Sequence, residues 1–168
     1  MPNDIVLYIL FLSPFIVQFS IYFTEWKLRK SLRQLPKARR RLFNFDLSEL
    51  SEKNIPYYSI LLRSYVFLPF LSICFFAIAL GAEDTYDSAV HNPYVLYFLV
   101  AVVLANISKF ILLKKIDQFN TTPIFIAFSK ENSDIPFRNN KQRSFRTFLN
   151  YFTLALSLMN IIIFFVLG

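Results

Sequence analysis

The chain predicts an all-α integral membrane protein: a four-transmembrane-helix bundle closed at one end by a small basic helical cytoplasmic cap. Three observations lead there. Four long apolar runs occupy residues 5–23, 64–82, 94–113 and 147–167, each of about 18 to 21 residues. Composition is 55% hydrophobic and 18% aromatic, too apolar for an ordinary soluble domain of 168 residues. Charge is sorted between the runs rather than scattered. At ~1.5 Å rise per residue each run matches the ~30 Å hydrocarbon layer as a helix. Strands fit poorly, because the runs are continuously apolar and about twice the length that a barrel strand needs.

The charge pattern fixes an expected orientation. All 18 lysines and arginines lie in or beside the two gaps at 24–63 and 114–146, against 7 acidic side chains there. The gap at 83–93 has no basic residue and carries Glu83, Asp84 and Asp87. Cytoplasmic loops collect lysine and arginine, so 24–63 and 114–146 are expected inside, with 83–93 and both termini outside. The net charge of +7 is then a topological and lipid-facing signal, and nucleic acid is not expected as a partner. Cys74 is the single cysteine, which leaves no disulfide framework within one chain. Residues 1–4 lack a basic n-region and no A-x-A-like site follows, so the first run reads as a span rather than a cleaved signal.

Taken in order, the first span ends in Tyr22, Phe23 and Trp26, rings suited to the headgroup zone, and carries Pro14 as a kink site. Leu28, Leu32 and Leu35 continue a helical period up to Pro36, which should bend or restart the helix. Asp46 and Glu49 read as a capping box that opens a short helix over 47–53, closed by Asn54 and Pro56. Pro56 suits the first turn of a helix running through Arg63 into the second span. Spans two and three, about eleven residues apart, form an antiparallel hairpin with Asn92-Pro93 as its turn signal. Span three exits at Lys114 and Lys115. The apolar stretch 123–128 is too short to cross, leaving a strand, a surface anchor, or a segment packed on the first cytoplasmic loop. Both cytoplasmic loops are rich in Phe, Ile and Leu, so they are expected to pack together as the cap or to bury those residues against a partner.

The candidate functional residues fall in three groups. Gln18, Ser72, Asn106, Lys109, Ser157 and Asn160 are polar residues inside the spans. Counted in helical rise from the outer surface, they lie at similar or neighbouring depths, so they are expected to form an intramembrane cluster of interhelical hydrogen bonds. That cluster either registers the helices or lines a site, with Lys109 snorkelling toward the inner headgroups in the first case. Lys37, Arg39, Arg40 and Arg41 are candidate contacts for anionic lipid or an acidic partner, beside their role in fixing topology. Ala77 with Gly81, and Ala101 with Ala105, are small-xxx-small pairs expected to let the hairpin helices approach closely.

No carboxylate lies inside a span, which argues against proton-coupled and cation-carrier mechanisms. His91 stands alone in the outer loop, and triads, zinc motifs and phosphate-binding loops are missing. The sequence therefore supports no enzyme, no cofactor and no metal. It points to a non-enzymatic multi-pass interaction protein of the bacterial cytoplasmic membrane, an accessory or immunity-type protein. Its partners are the bilayer, anionic headgroups on the cytoplasmic face, and another membrane protein or copies of itself. The alternative is a homo-oligomeric channel or small transporter lined by Gln18, Asn106, Asn160 and Lys109.

Overall fold

The computed structural model describes residues 2–167 except 83, 84, 87, 134, 136, 138 and 139, and side chains except also 2–4, 18–29, 31, 140 and 141. Among the described residues six helices follow one another: α1 Pro2–Gln34, α2 Lys37–Asn54, α3 Tyr58–Gly81, α4 Pro93–Phe119, α5 Pro123–Glu131 and α6 Asn140–Leu167. Among the described residues every regular element is a helix. Three helices are long and apolar enough to cross a membrane, within α3, α4 and α6, and the apolar part described in α1 is the shorter 5–17.

Helix α4 is the centre of the bundle. It carries eleven of the buried helical side chains, from Val95 to Phe119, and packs against α3 on one side and α6 on the other. Helix α1 lies on α6. Near the α3–α4 turn the four helices close around aromatic rings. Phe15 stacks on Phe98, Tyr8 meets Phe76 edge-on, and Phe11 tilts against Phe164. Such pairs contribute about 0.5–1.5 kcal/mol each beyond simple burial.

The hairpin is tied by one residue. Asn92 is buried, and its side-chain amide donates to the Ala79 carbonyl at 2.9 Å while its Oδ1 caps the Tyr94 N–H. Pro93 occupies the first turn of α4, where its missing N–H costs nothing. The turn signal at Asn92-Pro93 is thus a helix cap that also holds the preceding helix end. Glu83, Asp84 and Asp87 lie outside the described residues.

Two local expectations need correction. Residues 47–53 are not a separate helix: α2 is continuous from Lys37, and Asp46 and Glu49 sit within it. Pro36 starts that helix, and the following run of Ala, Arg and Leu continues it without strain. A capping box is needed only where the preceding backbone is non-helical. Lys114 and Lys115, where the third span is expected to leave the membrane, lie within α4, which continues as helix to Phe119. Pro56 lies before α3 rather than in its first turn, and Tyr57 makes the entry with φ 62°, the left-handed region.

The stretch at 123–128 forms helix α5, capped by Thr122, whose hydroxyl accepts from the Phe125 N–H. It packs on α2 through aromatic rings. Phe43 stacks on Phe128 and meets Phe137 edge-on, while Phe125 contacts Phe119, Phe128 and Phe137. Ile55, Phe119 and Phe125 form the buried centre of this small cap. Arg39 ties its rim by donating to Asn132 Oδ1 at 2.8 Å.

Candidate functional site

Helix α6 is inside-out. Arg146, Asn150, Thr153, Ser157 and Asn160 recur every three or four residues along one face, and all five are buried. The other faces expose Phe148, Tyr151, Phe152, Ile162 and Phe165. In water, burying such a stripe while exposing the rings would be strongly unfavourable. A hydrocarbon solvent reverses the preference, because polar groups there must find partners within the protein.

Two of the stripe's side chains reach across to α4. Asn106 donates to Ser157 Oγ at 2.7 Å, and Ser157 donates onward to the Thr153 carbonyl of its own helix at 2.7 Å. Arg146 Nη2 meets Asp117 Oδ1 at 2.5 Å. The two cross-helix pairs are eleven residues apart on each helix, three turns or ~16 Å, as antiparallel register requires. Between them lies Lys109, one turn from Asn106 and 6% exposed, so it is packed into the bundle rather than extended over its surface.

Asn160 serves a different neighbour. Its amide Nδ2 donates to the Leu10 carbonyl of α1 at 3.1 Å and approaches the Phe11 carbonyl at 3.4 Å. Leu10 is the residue whose carbonyl would accept the N–H of residue 14 in a regular helix, and residue 14 is proline. Asn160 therefore fills the vacancy that Pro14 creates. Its own Oδ1 remains buried without a partner among the described residues.

The six polar candidates thus divide. Asn106 and Ser157 meet, and Asn160 binds α1 instead. Ser72 is buried but donates to the Pro69 carbonyl within α3. The Gln18 side chain lies outside the described residues. The basic group also divides. Lys37 and Arg41 are exposed one turn apart, Arg40 is half-buried, and Arg39 is engaged with Asn132. Ala101 and Ala105 are buried as expected for a packed face of α4. Ala77 and Gly81 are both exposed, and a Cβ built on Gly81 meets nothing within 4 Å. Ala79 and Ser72, both fully buried, are the small residues that face inward on α3.

Reading the sequence missed Asp117, Arg146, Asn150 and Thr153. The signal was available for α6, since positions 146, 150, 153, 157 and 160 share a helical face. Beside this seam, at the cap end, Phe110, Leu113, Lys114, Asp117, Gln118 and Thr121 of α4 and its following turn face Thr147, Asn150 and Tyr151 of α6. They line an open cleft of about 400 Å³. The Phe110 and Tyr151 rings meet edge-on at 4.9 Å. A second, mostly apolar cavity of about 250 Å³ lies in the cap between Phe43, Tyr58, Phe125 and Arg143. Among the described residues no group of His, Cys, Asp and Glu is arranged to hold a metal.

No protein-family model, no curated protein and no solved structure matches this chain.

Proposed function

We propose that the protein is a four-span protein of the bacterial cytoplasmic membrane, with both termini outside and the α2–α5 cap in the cytoplasm. In it, α1 is the fourth span beside α3, α4 and α6. It acts as a non-enzymatic interaction protein, an accessory or immunity-type component that binds another membrane protein within the bilayer.

The observation that carries this reading is the contrast between α3 and the rest of the bundle. Asn106, Ser157 and Asn160, three of the polar residues singled out for a conducting path or cluster, each make a bond within the chain. Helix α3 is the least buried of the three long apolar helices and exposes Ala77 and Gly81 along with Phe70 and Ile73. Small residues on a lipid-facing helix allow a second helix to approach closely, the usual geometry of intramembrane association.

Purification of the tagged chain in mild detergent, with the mass of the intact complex measured, tests the reading. A defined hetero-complex that is lost on Ala77→Ile with Gly81→Leu is the expected result. A homo-oligomer that conducts ions in liposomes would replace this proposal with a channel. A lone monomer insensitive to those substitutions would remove it. Reporter fusions at residues 88 and 132 check the orientation and should fall on opposite sides.

A further inference from the structure

The cleft between α4 and α6 contains an acceptor with no donor. Asn150 is 6% exposed, lines the cleft, and its Oδ1 has no hydrogen-bond partner among the described residues. A buried carbonyl left in that state costs about 1–3 kcal/mol, so the site favours a ligand that donates to it. Asp117, 27% exposed, faces it from α4 and adds a carboxylate, which Arg146 Nη2 also meets. Lys114 stands one turn from Asp117 on the same face of α4, exposed at the cleft mouth. Phe110, Leu113 and Tyr151 supply apolar walls toward the middle of the bundle.

The cleft therefore brings together an acceptor from each helix, a cation and an apolar flank, at the basic end of the apolar helices. We infer that the cleft is a binding site for a glycerophospholipid with a primary-ammonium headgroup, a phosphatidylethanolamine. The ammonium donates to Asn150 Oδ1 and the Asp117 carboxylate, Lys114 pairs with the phosphate, and the acyl chains leave past Phe110 and Leu113. About 400 Å³ is within the ~300–1,000 Å³ range of small-molecule sites and holds a headgroup with its glycerol. Specificity resides in the N–H groups. Phosphatidylcholine has the same charge and nearly the same shape, but its quaternary ammonium donates nothing.

The inference rests on the membrane reading above, and the experiment separates the two. The full chain is purified in dodecyl maltoside, stripped of lipid, and titrated by native mass spectrometry. The probes are dioleoyl phosphatidylethanolamine, its mono- and dimethyl derivatives, phosphatidylcholine and phosphatidylglycerol. Retention of phosphatidylethanolamine roughly tenfold above phosphatidylcholine is expected, the ratio one charge-assisted hydrogen bond supplies, with stepwise loss on methylation. Asn150→Leu should abolish the preference and Asn150→Asp should keep it. Lys114→Gln, at an exposed position, should weaken both lipids while leaving their ratio unchanged. Equal retention of phosphatidylethanolamine and phosphatidylcholine by the wild-type chain overturns the site. So does a stronger preference for phosphatidylglycerol, which would mark an anion site instead. Recovery of the folded chain from a detergent-free supernatant overturns the membrane reading itself, a separate outcome.

Discussion

Asn160→Leu tests whether a side chain of α6 repairs the backbone of α1. Pro14 has no N–H, so the Leu10 carbonyl loses its helical donor, and Asn160 Nδ2 supplies one at 3.1 Å. Asn160 is fully buried, and leucine keeps its branched heavy-atom skeleton while losing the hydrogen bond. Measured interhelical bonds in membranes average ~0.6 kcal/mol and reach ~2 kcal/mol in model peptides; a buried bond to an orphaned carbonyl should cost about 1 kcal/mol. Pro14→Ala returns an amide at residue 14 that can donate to Leu10. In that background Asn160→Leu should cost no more than ~0.3 kcal/mol, a coupling of about 0.7 kcal/mol across a double-mutant cycle. Reversible unfolding in mixed dodecyl-sulfate and maltoside micelles gives the four free energies, followed by helical circular dichroism. Equal costs of Asn160→Leu with and without Pro14 would refute the repair and leave Asn160 as a packing residue.

Asp117→Asn leaves Arg146 buried without its counter-charge and should destabilise by about 3 kcal/mol, the low end for a broken buried pair because Asp117 is partly exposed. The double variant Asp117→Leu with Arg146→Met should recover most of that loss in the same unfolding assay. Ala77→Leu projects from the bundle and should change monomer stability by less than ~0.5 kcal/mol, whereas Ala101→Leu overpacks the α4 contact at a cost of roughly 1–3 kcal/mol. Similar costs for the two alanines would mean that α3 is rotated from its described phase. Tyr57→Gly, at an exposed residue with φ 62°, should stabilise by about 1 kcal/mol, seen as a higher dodecyl-sulfate midpoint.

Much of the bundle was legible from residues alone, and the physical basis is additive. Partition into lipid sums over side chains whatever their neighbours, so the apolar runs that become α3, α4 and α6 announce themselves without any knowledge of packing. Punctuation by single residues was legible too. Pro36 breaks between α1 and α2, and Asn92-Pro93 opens α4, because each acts through its own backbone. The Asp46–Glu49 pattern misled for the complementary reason. A cap competes with continued helix, and here the preceding residues were able to continue it.

Tertiary structure alone decided the rotational phase of each helix, and with it every partner. Ala77 and Gly81 resemble an interface in sequence, yet two residues away Ala79 is the one buried, because successive side chains diverge by about 100° around the helix axis. Asn160 and Leu10 are 150 positions apart, and no local pattern relates a proline's vacancy to a distant amide. Asp117 and Arg146 looked like separate loop charges until α4 ran on to Phe119 and the antiparallel register brought them together. Composition determined the solvent this chain prefers; close packing of α4 against its neighbours chose which polar groups satisfy one another and left Asn150 Oδ1 without a donor among the described residues.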